Sequence, residues 1–308
     1  MRKHAPPTRV FGTVVALFFL LTILPGCDSY NLSLKNFFEN GFEDGSVPIF
    51  HNAEDLAAYL AKSSEGGSSA NPVSVRLDFS LGSGGWTNLL NTINGADKYV
   101  SLDLSACDIS GMGGASGEFD PTTDLGDFTS AVAKQKVVSL VLPAAATSIK
   151  GDSLYITFAG FSNLKEIKGA NVATIGQNAF SDRTNLTSVS FPLATHIYAA
   201  AFFHCYGLTS ASFPAAVHIG QSAFNGCRDL TSLTLGTIPP VLGLNVFGST
   251  FYNLNPLYIH VPVGAVGNYT TSVLPGWGVS STTAANNDPM GTDIYGLGHK
   301  TIIITDGT

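Results

Sequence analysis

Apolar residues return along this chain at a fixed interval. Ile175, Ile197 and Ile219 stand 22 residues apart, as do Phe180, Phe202 and Phe224, and Leu186, Leu208 and Leu230. Phe191 recurs as Phe213 and then Leu235, and Pro192 recurs as Pro214. Such a period means one supersecondary unit repeated, with each copy burying its apolar face against the next. A single unit buries about six apolar side chains at roughly 1.5 to 3 kcal/mol each. Ordering its backbone costs about 1 to 2 kcal/mol per residue, so an isolated unit does not fold and the units must stack.

Within each unit one segment reads as a short strand. Leu186, Val189 and Phe191 point inward, which leaves Thr187, Ser188 and Ser190 outward; the same logic places Thr209, Ser210 and Ser212, then Thr231, Ser232 and Thr234, on the outer face. The central inward position serves as a marker, found at Leu77, Leu102, Leu140, Ile167, Val189, Ala211, Leu233 and Ile259. The intervals are 25, 38, 27, 22, 22, 22 and 26 residues, which makes eight rungs with irregular ones at both ends. The longest interval holds "GMGGASGEFDPTTDLGDF", expected to bulge from the stack as a Gly/Asp-rich loop. Upstream, Asn52 is placed to cap a helix over "NAEDLAAYLAKS" with Leu56, Tyr59 and Leu60 on one face. A Gly/Ser loop at 65–69, an alternating strand "VSVRLDFS", a helical "WTNLLNTI" and a strand "KYVSLDLSAC" follow.

Written as a frame, Leu186-x-x-Val189-x-Phe191-x-x-Ala194 resembles the L-x-x-L-x-L-x-x-N/C pattern of leucine-rich repeats, with Ala where Asn or Cys is usual. The runs "ATIGQNAFSDRTNLTSVSFP" and "HIGQSAFNGCRDLTSLTLG" are similar to the leucine-rich repeats of BspA-like bacterial surface proteins. The likeness is specific over residues 164–238 and looser over 73–163, and "LYIHVPVGAVGNY" at 257–269 is similar to the family's terminal segment. Tyr198 stands where the unit has Gly, and Arg183 where the next two units have Cys205 and Cys227. The fold expected is a leucine-rich repeat solenoid, short parallel strands stacked with irregular or short helical returns, carrying an N-terminal helix-strand cap and a C-terminal cap.

The N-terminus adds a destination. Arg2, Lys3, His4 and Arg9 precede an apolar run of 15 residues, Val10 to Leu24, short of the roughly 20 that span a bilayer as a helix. It reads as an export signal. The "LPGC" that ends it resembles the lipobox of bacterial lipoproteins, although Pro25 replaces the usual small residue. That resemblance implies that Cys27 carries the lipid, at about 0.8 kcal/mol of membrane affinity per buried methylene. The expected organisation is a lipoprotein signal peptide at 1–26, a tether at 27–50, the solenoid at 51–262 and a C-terminal cap and tail at 263–308.

Composition agrees with a well-packed body: 44% of residues are hydrophobic and 12% charged, against about 25% charged in an average domain. A net charge of -7 disfavours nucleic acid, which demands clustered Lys and Arg. No zincin, nucleophile-elbow, Walker or C-x-x-C motif occurs, so neither catalysis nor a cofactor is expected. His196 and His218 share a repeat position with His204 nearby in sequence; closed metal sites need three or four converging ligands, and these residues read as surface positions. Cys205 and Cys227 align at a spacing that a disulfide could bridge, but the position faces inward and buried free Cys is commoner. Glu118, Asp120, Asp124 and Asp127 match no EF-hand spacing. The acceptor patterns at Asn31, Asn185 and Asn268 carry little meaning in a bacterial lipoprotein.

What remains is surface. The outward hydroxyl ladder, with Lys165, Glu166, Lys168, Arg76, Asp78 and Asp103 on earlier rungs, can bind a protein through many weak contacts. Phe203 and Tyr206, whose counterparts in neighbouring units are polar or charged, are candidate anchors. Resemblance to BspA-like proteins implies adhesion to extracellular matrix or other surface proteins, on the outer membrane or cell surface. A scaffold lipoprotein facing the periplasm is the alternative, because Asp28 directly follows the lipid site.

Overall fold

The computed structural model describes residues 47–82, 84–112, 115–122, 128–248, 256–269 and 302–306. The described residues from Phe50 onward belong to one compact unit, and residues 47–49 fall in another. Among the described residues no helix is long and apolar enough to cross a membrane.

The apolar period becomes two stacked sheets. The main sheet contains β1 (Ile49–Phe50), β2 (Val73–Leu77), β3 (Val100–Asp103), β5 (Val137–Val141), β7 (Glu166–Lys168), β9 (Ser188–Ser190), β11 (Ser210–Ser212), β13 (Ser232–Thr234), β15 (Leu257–Val261) and β16 (Ile302–Asp306), adjacent in that order. A second sheet on the other side of the core runs, in spatial order, β14 (Val241–Leu242), β12 (His218–Ile219), β10 (His196–Ile197), β8 (Thr174–Ile175), β6 (Ser148–Ile149) and β4 (Glu118–Phe119). Pairings from β2 onward are parallel. Each regular unit therefore crosses the molecule twice, once in each sheet.

Register follows the expected markers from Leu102 to Ile259. The first marker moves: Val75, not Leu77, pairs with Leu102. Both point inward, so alternation alone cannot separate them, and only the backbone ladder does. The loop expected to bulge at 111–128 contains β4, whose Phe119 is fully buried and whose pairing with β6 starts the second sheet. The main sheet also continues past residue 262, because β16 pairs in register with β15.

Among the described residues three helices serve the N-terminal rungs: α1 (Ala53–Lys62), α2 (Gly85–Ala96) and α3 (Phe128–Lys134). Neighbours pack side by side, α1 on α2 and α2 on α3. Asn52 caps α1 as expected, accepting from the Asp55 amide at 2.8 Å, and Leu56 and Leu60 are buried. Later units return through tight turns instead. These require left-handed backbone at two places per unit: Asn178, Ala200 and Ser222, then Asp182, His204 and Gly226. Asn, Asp and Gly adopt it readily, whereas Ala200 holds it at a cost of roughly 1 kcal/mol.

Between the sheets the aromatics form a column. Phe158, Phe180, Phe202, Phe224 and Phe247 stack with successive centroid separations of 4.5, 5.2, 5.3 and 5.9 Å. Trp86 of α2 meets Phe119 edge-on at 5.8 Å and stacks on Phe161 at 6.4 Å, joining the helical rungs to this column. Cys205 and Cys227 are not joined by a disulfide and are fully buried, and their thiols donate to the carbonyls of Phe180 and Phe202 one rung back. Arg183, in the corresponding place, donates its Nη1 to the Ala159 carbonyl.

Candidate interaction surface

Parallel, in-register rungs convert repeat positions into columns on the outer face of the main sheet. One column runs Glu166, Ser188, Ser210, Ser232, Tyr258; its neighbour runs Lys168, Ser190, Ser212, Thr234, His260. Rungs lie about 4.8 Å apart. The residues from Glu166 and Lys168 to Ser232 and Thr234 line a shallow open groove, with the Ser and Thr side chains of three rungs as its floor and the buried Val189 and Ala211 beneath them. At one end Lys168 Nζ and Glu166 Oε1 pair at 2.9 Å. One rung beyond the other end, the Tyr258 and His260 rings lie nearly parallel at 6.3 Å, and His260 Nδ1 is 2.9 Å from the Thr305 hydroxyl.

The hydroxyls expected on this face fall into two kinds. Thr187 donates to the Lys165 carbonyl at 2.9 Å, Thr209 to Thr187 at 2.9 Å and Thr231 to Thr209 at 3.3 Å. Those three tie consecutive rungs together. Ser188, Ser190, Ser210, Ser212, Ser232 and Thr234 make no side-chain hydrogen bond to the described residues and are half-buried. Each hydroxyl can both donate and accept, so this floor is left with its polar capacity facing outward.

Charged positions on earlier rungs are partnered. Arg76 Nε donates to Asp103 at 2.8 Å, His51 Nδ1 sits 2.6 Å from Asp78, and Lys165 Nζ donates to the Ser69 carbonyl at 2.8 Å. Burial alone pushes the Asp103 carboxyl up, but hydrogen bonds from Ser105 and Arg76 outweigh it and hold the group below the usual carboxylate range. Phe203 and Tyr206 lie off this face, on the turn linking β10 to β11. Their rings sandwich His204, with centroids 3.7 and 5.2 Å away, and the Arg228 guanidinium lies 4.8 Å from the Tyr206 centroid. Both aromatics are half-buried there.

The remaining chemical candidates are structural. Asp120 is buried, accepting from Lys150 Nζ at 2.8 Å and from the Thr122 amide at 2.9 Å; Asp124 and Asp127 fall outside the described residues, as does Cys27. Burial pushes the Cys107 thiol up to about 12, which leaves it without nucleophilic thiolate at neutral pH. Among the described residues no group of three or more His, Cys, Asp and Glu is arranged to hold a metal ion.

Tyr258 and His260 flank the marker Ile259, and alignment of Ile259 with Leu233 puts both on the columns, although neither shares the Ser/Thr character that marks the face on the preceding rungs.

Residues 130–270 match the family model described as the BspA type leucine rich repeat region, in six copies. This segment is a BspA-type leucine-rich repeat region. No curated protein and no solved structure gives a match to the chain. The BspA-type repeats span the groove and Tyr258 and His260, so the whole candidate surface lies within the matched segment. Repeats of this type serve as protein-interaction modules.

Proposed function

We propose that this chain is an exported, lipid-anchored adhesion module whose main-sheet groove docks a protein of the extracellular matrix or of another bacterial surface. The observation that carries the reading is the floor of six hydroxyls on three consecutive rungs, each without a partner among the described residues. Inward positions are consumed by packing and the Thr spine by rung-to-rung hydrogen bonds, so on the main sheet this floor is what is left for a partner. Its role is binding rather than catalysis. With one ion pair at its edge, the groove gives little electrostatic steering, and association should weaken only slightly with salt.

A binding test follows. Ser210→Arg with Ser232→Arg fills the floor while leaving the core untouched, and should abolish capture of matrix or surface proteins by the full-length chain. Phe203→Ser with Tyr206→Thr borrows the residues of Ser181 and Thr184 one unit earlier and should leave capture intact. Loss in the second variant alone would move the site to the β10–β11 turn.

Anchoring is tested separately. The short apolar run and "LPGC" lead us to expect that Cys27→Ser releases the chain from the membrane fraction and abolishes palmitate labelling. Undiminished labelling would refute the anchor. Surface proteolysis of intact cells distinguishes the cell-surface adhesin from a scaffold facing the periplasm: cleavage supports the first, protection the second.

A further inference from the structure

On the second sheet, the outward column over β8, β10, β12 and β14 reads Thr174, His196, His218, Val241. Two imidazoles thus stand on adjacent parallel strands in register, with ring centroids 6.1 Å apart and planes tilted by 49°. The repeat does not call for histidine here, since Thr174 and Val241 occupy the same position on the flanking rungs.

Local hydrogen bonding favours one tautomer of the His196 ring. The Thr195 hydroxyl donates its hydrogen to the Ala173 carbonyl at 3.2 Å and lies 3.0 Å from His196 Nδ1. With that hydrogen on the carbonyl, Thr195 Oγ1 accepts from Nδ1–H of His196. That leaves the lone pair of His196 on Nε2, an arrangement in which a second partner orients a metal-binding imidazole. His218 makes no side-chain hydrogen bond to the described residues, and its χ2 torsion is soft, so its ring can turn to present a nitrogen to the same point. The Tyr198 ring flanks His196 at 6.3 Å.

We infer that His196 and His218 together hold one divalent transition-metal ion through two ring nitrogens, with water completing the coordination. The nearest carboxylate of this column, Glu118, stands three rungs from His196, out of reach of an ion held by the pair, which disfavours Mg²⁺ and Ca²⁺. Imidazole with water in a tetragonal arrangement suits Cu²⁺, with Zn²⁺ and Ni²⁺ weaker in the usual order of affinities. Two protein ligands fall short of the four of a closed structural zinc site, so the ion sits in an open, exchangeable position. Bound there, it clamps β10 to β12 on the wall opposite the groove.

The test is titration of the full-length protein with Cu²⁺ in a non-chelating, slightly alkaline buffer, followed by electron paramagnetic resonance and thermal unfolding. Binding of one Cu²⁺ with a two-nitrogen imidazole signature is expected, together with a rise in the unfolding midpoint. His196→Gln and His218→Gln should each weaken binding by more than about tenfold and remove the midpoint shift; Thr195→Val, which removes the acceptor for Nδ1–H, should weaken it by about tenfold. His204→Gln and His260→Gln should bind as the parent does. Circular dichroism of the metal-free variants checks that each is folded. Equal Cu²⁺ affinity in the parent and in either single variant of the pair, or a spectrum with one imidazole nitrogen, overturns the inference.

Discussion

Replacing Phe202 by alanine is expected to lower the stability of the solenoid by about 3 to 5 kcal/mol. The ring is fully buried, lies flat against Phe180 at 5.2 Å and Phe224 at 5.3 Å, and tilts onto Phe213 at 5.7 Å. Truncation opens a cavity between two rungs whose spacing is set by their hydrogen bonds, so the walls cannot close. Because repeat stability resides largely in nearest-neighbour interfaces, the loss falls on two interfaces at once. Ser210→Ala, on the groove floor, should stay within about 0.5 kcal/mol. Thr209→Ala removes the bond to the Thr187 carbonyl and should cost about 0.5 to 1.5 kcal/mol. Denaturant midpoints at constant m-value separate the three. Equal shifts for Phe202→Ala and Ser210→Ala would mean that the inward and outward positions are misassigned.

A second large loss, about 2 to 4 kcal/mol, is expected for Asp120→Ala. The carboxylate is 4% exposed and accepts from Lys150, from the Thr122 amide and from the Thr122 hydroxyl. Removal strands those donors in a site that holds the start of the second sheet. Lys150 is partly open to water, which keeps the loss below that of a fully enclosed pair. The same carboxylate makes stability depend on pH. Burial alone pushes its pKa up, but the hydrogen bonds from Lys150 and Thr122 and the Lys150 charge together hold it below the usual range. A depressed folded-state pKa means that the contribution is complete above the unfolded-state value, about 3.9, and is lost as pH falls through the folded value. Chemical denaturation between pH 3 and 6 should show the parent losing more stability than Asp120→Ala toward the acid end; parallel profiles would remove Asp120 from the account.

Much of this architecture was legible because a stacked fold repeats its own constraints. Phe180, Phe202 and Phe224 each meet the same environment one rung on, so their interval in the chain is the interval in space. The inward turn of Cys205 and Cys227 followed from the same period, and the Asn52 cap from its position before an amphipathic run. The second sheet was not legible as a sheet. Its strands are two residues long, and Ile175, Ile197 and Ile219 mark them with one inward side chain each, which is too short for alternation to register. β16 was equally hidden, since a strand far from its partner in sequence carries no periodic signal.

For the surface, the sequence by itself determined which side chains face outward: alternation leaves Ser188, Ser210 and Ser232 no inward place. Only the tertiary structure decided which of those hydroxyls lack a partner among the described residues. The Thr187, Thr209 and Thr231 hydroxyls meet carbonyls of the preceding rung, a contact that exists only once the rungs are stacked at their final spacing. The aromatics divided for the same reason. Phe203 and Tyr206 stand out in the repeat as departures, yet their turn folds them around His204, while Tyr258 and His260 reach the main-sheet face because β15 pairs in register with β13. Periodicity encodes direction relative to the core; partnership depends on distances across rungs, and those are set by the backbone hydrogen bonds of the assembled stack.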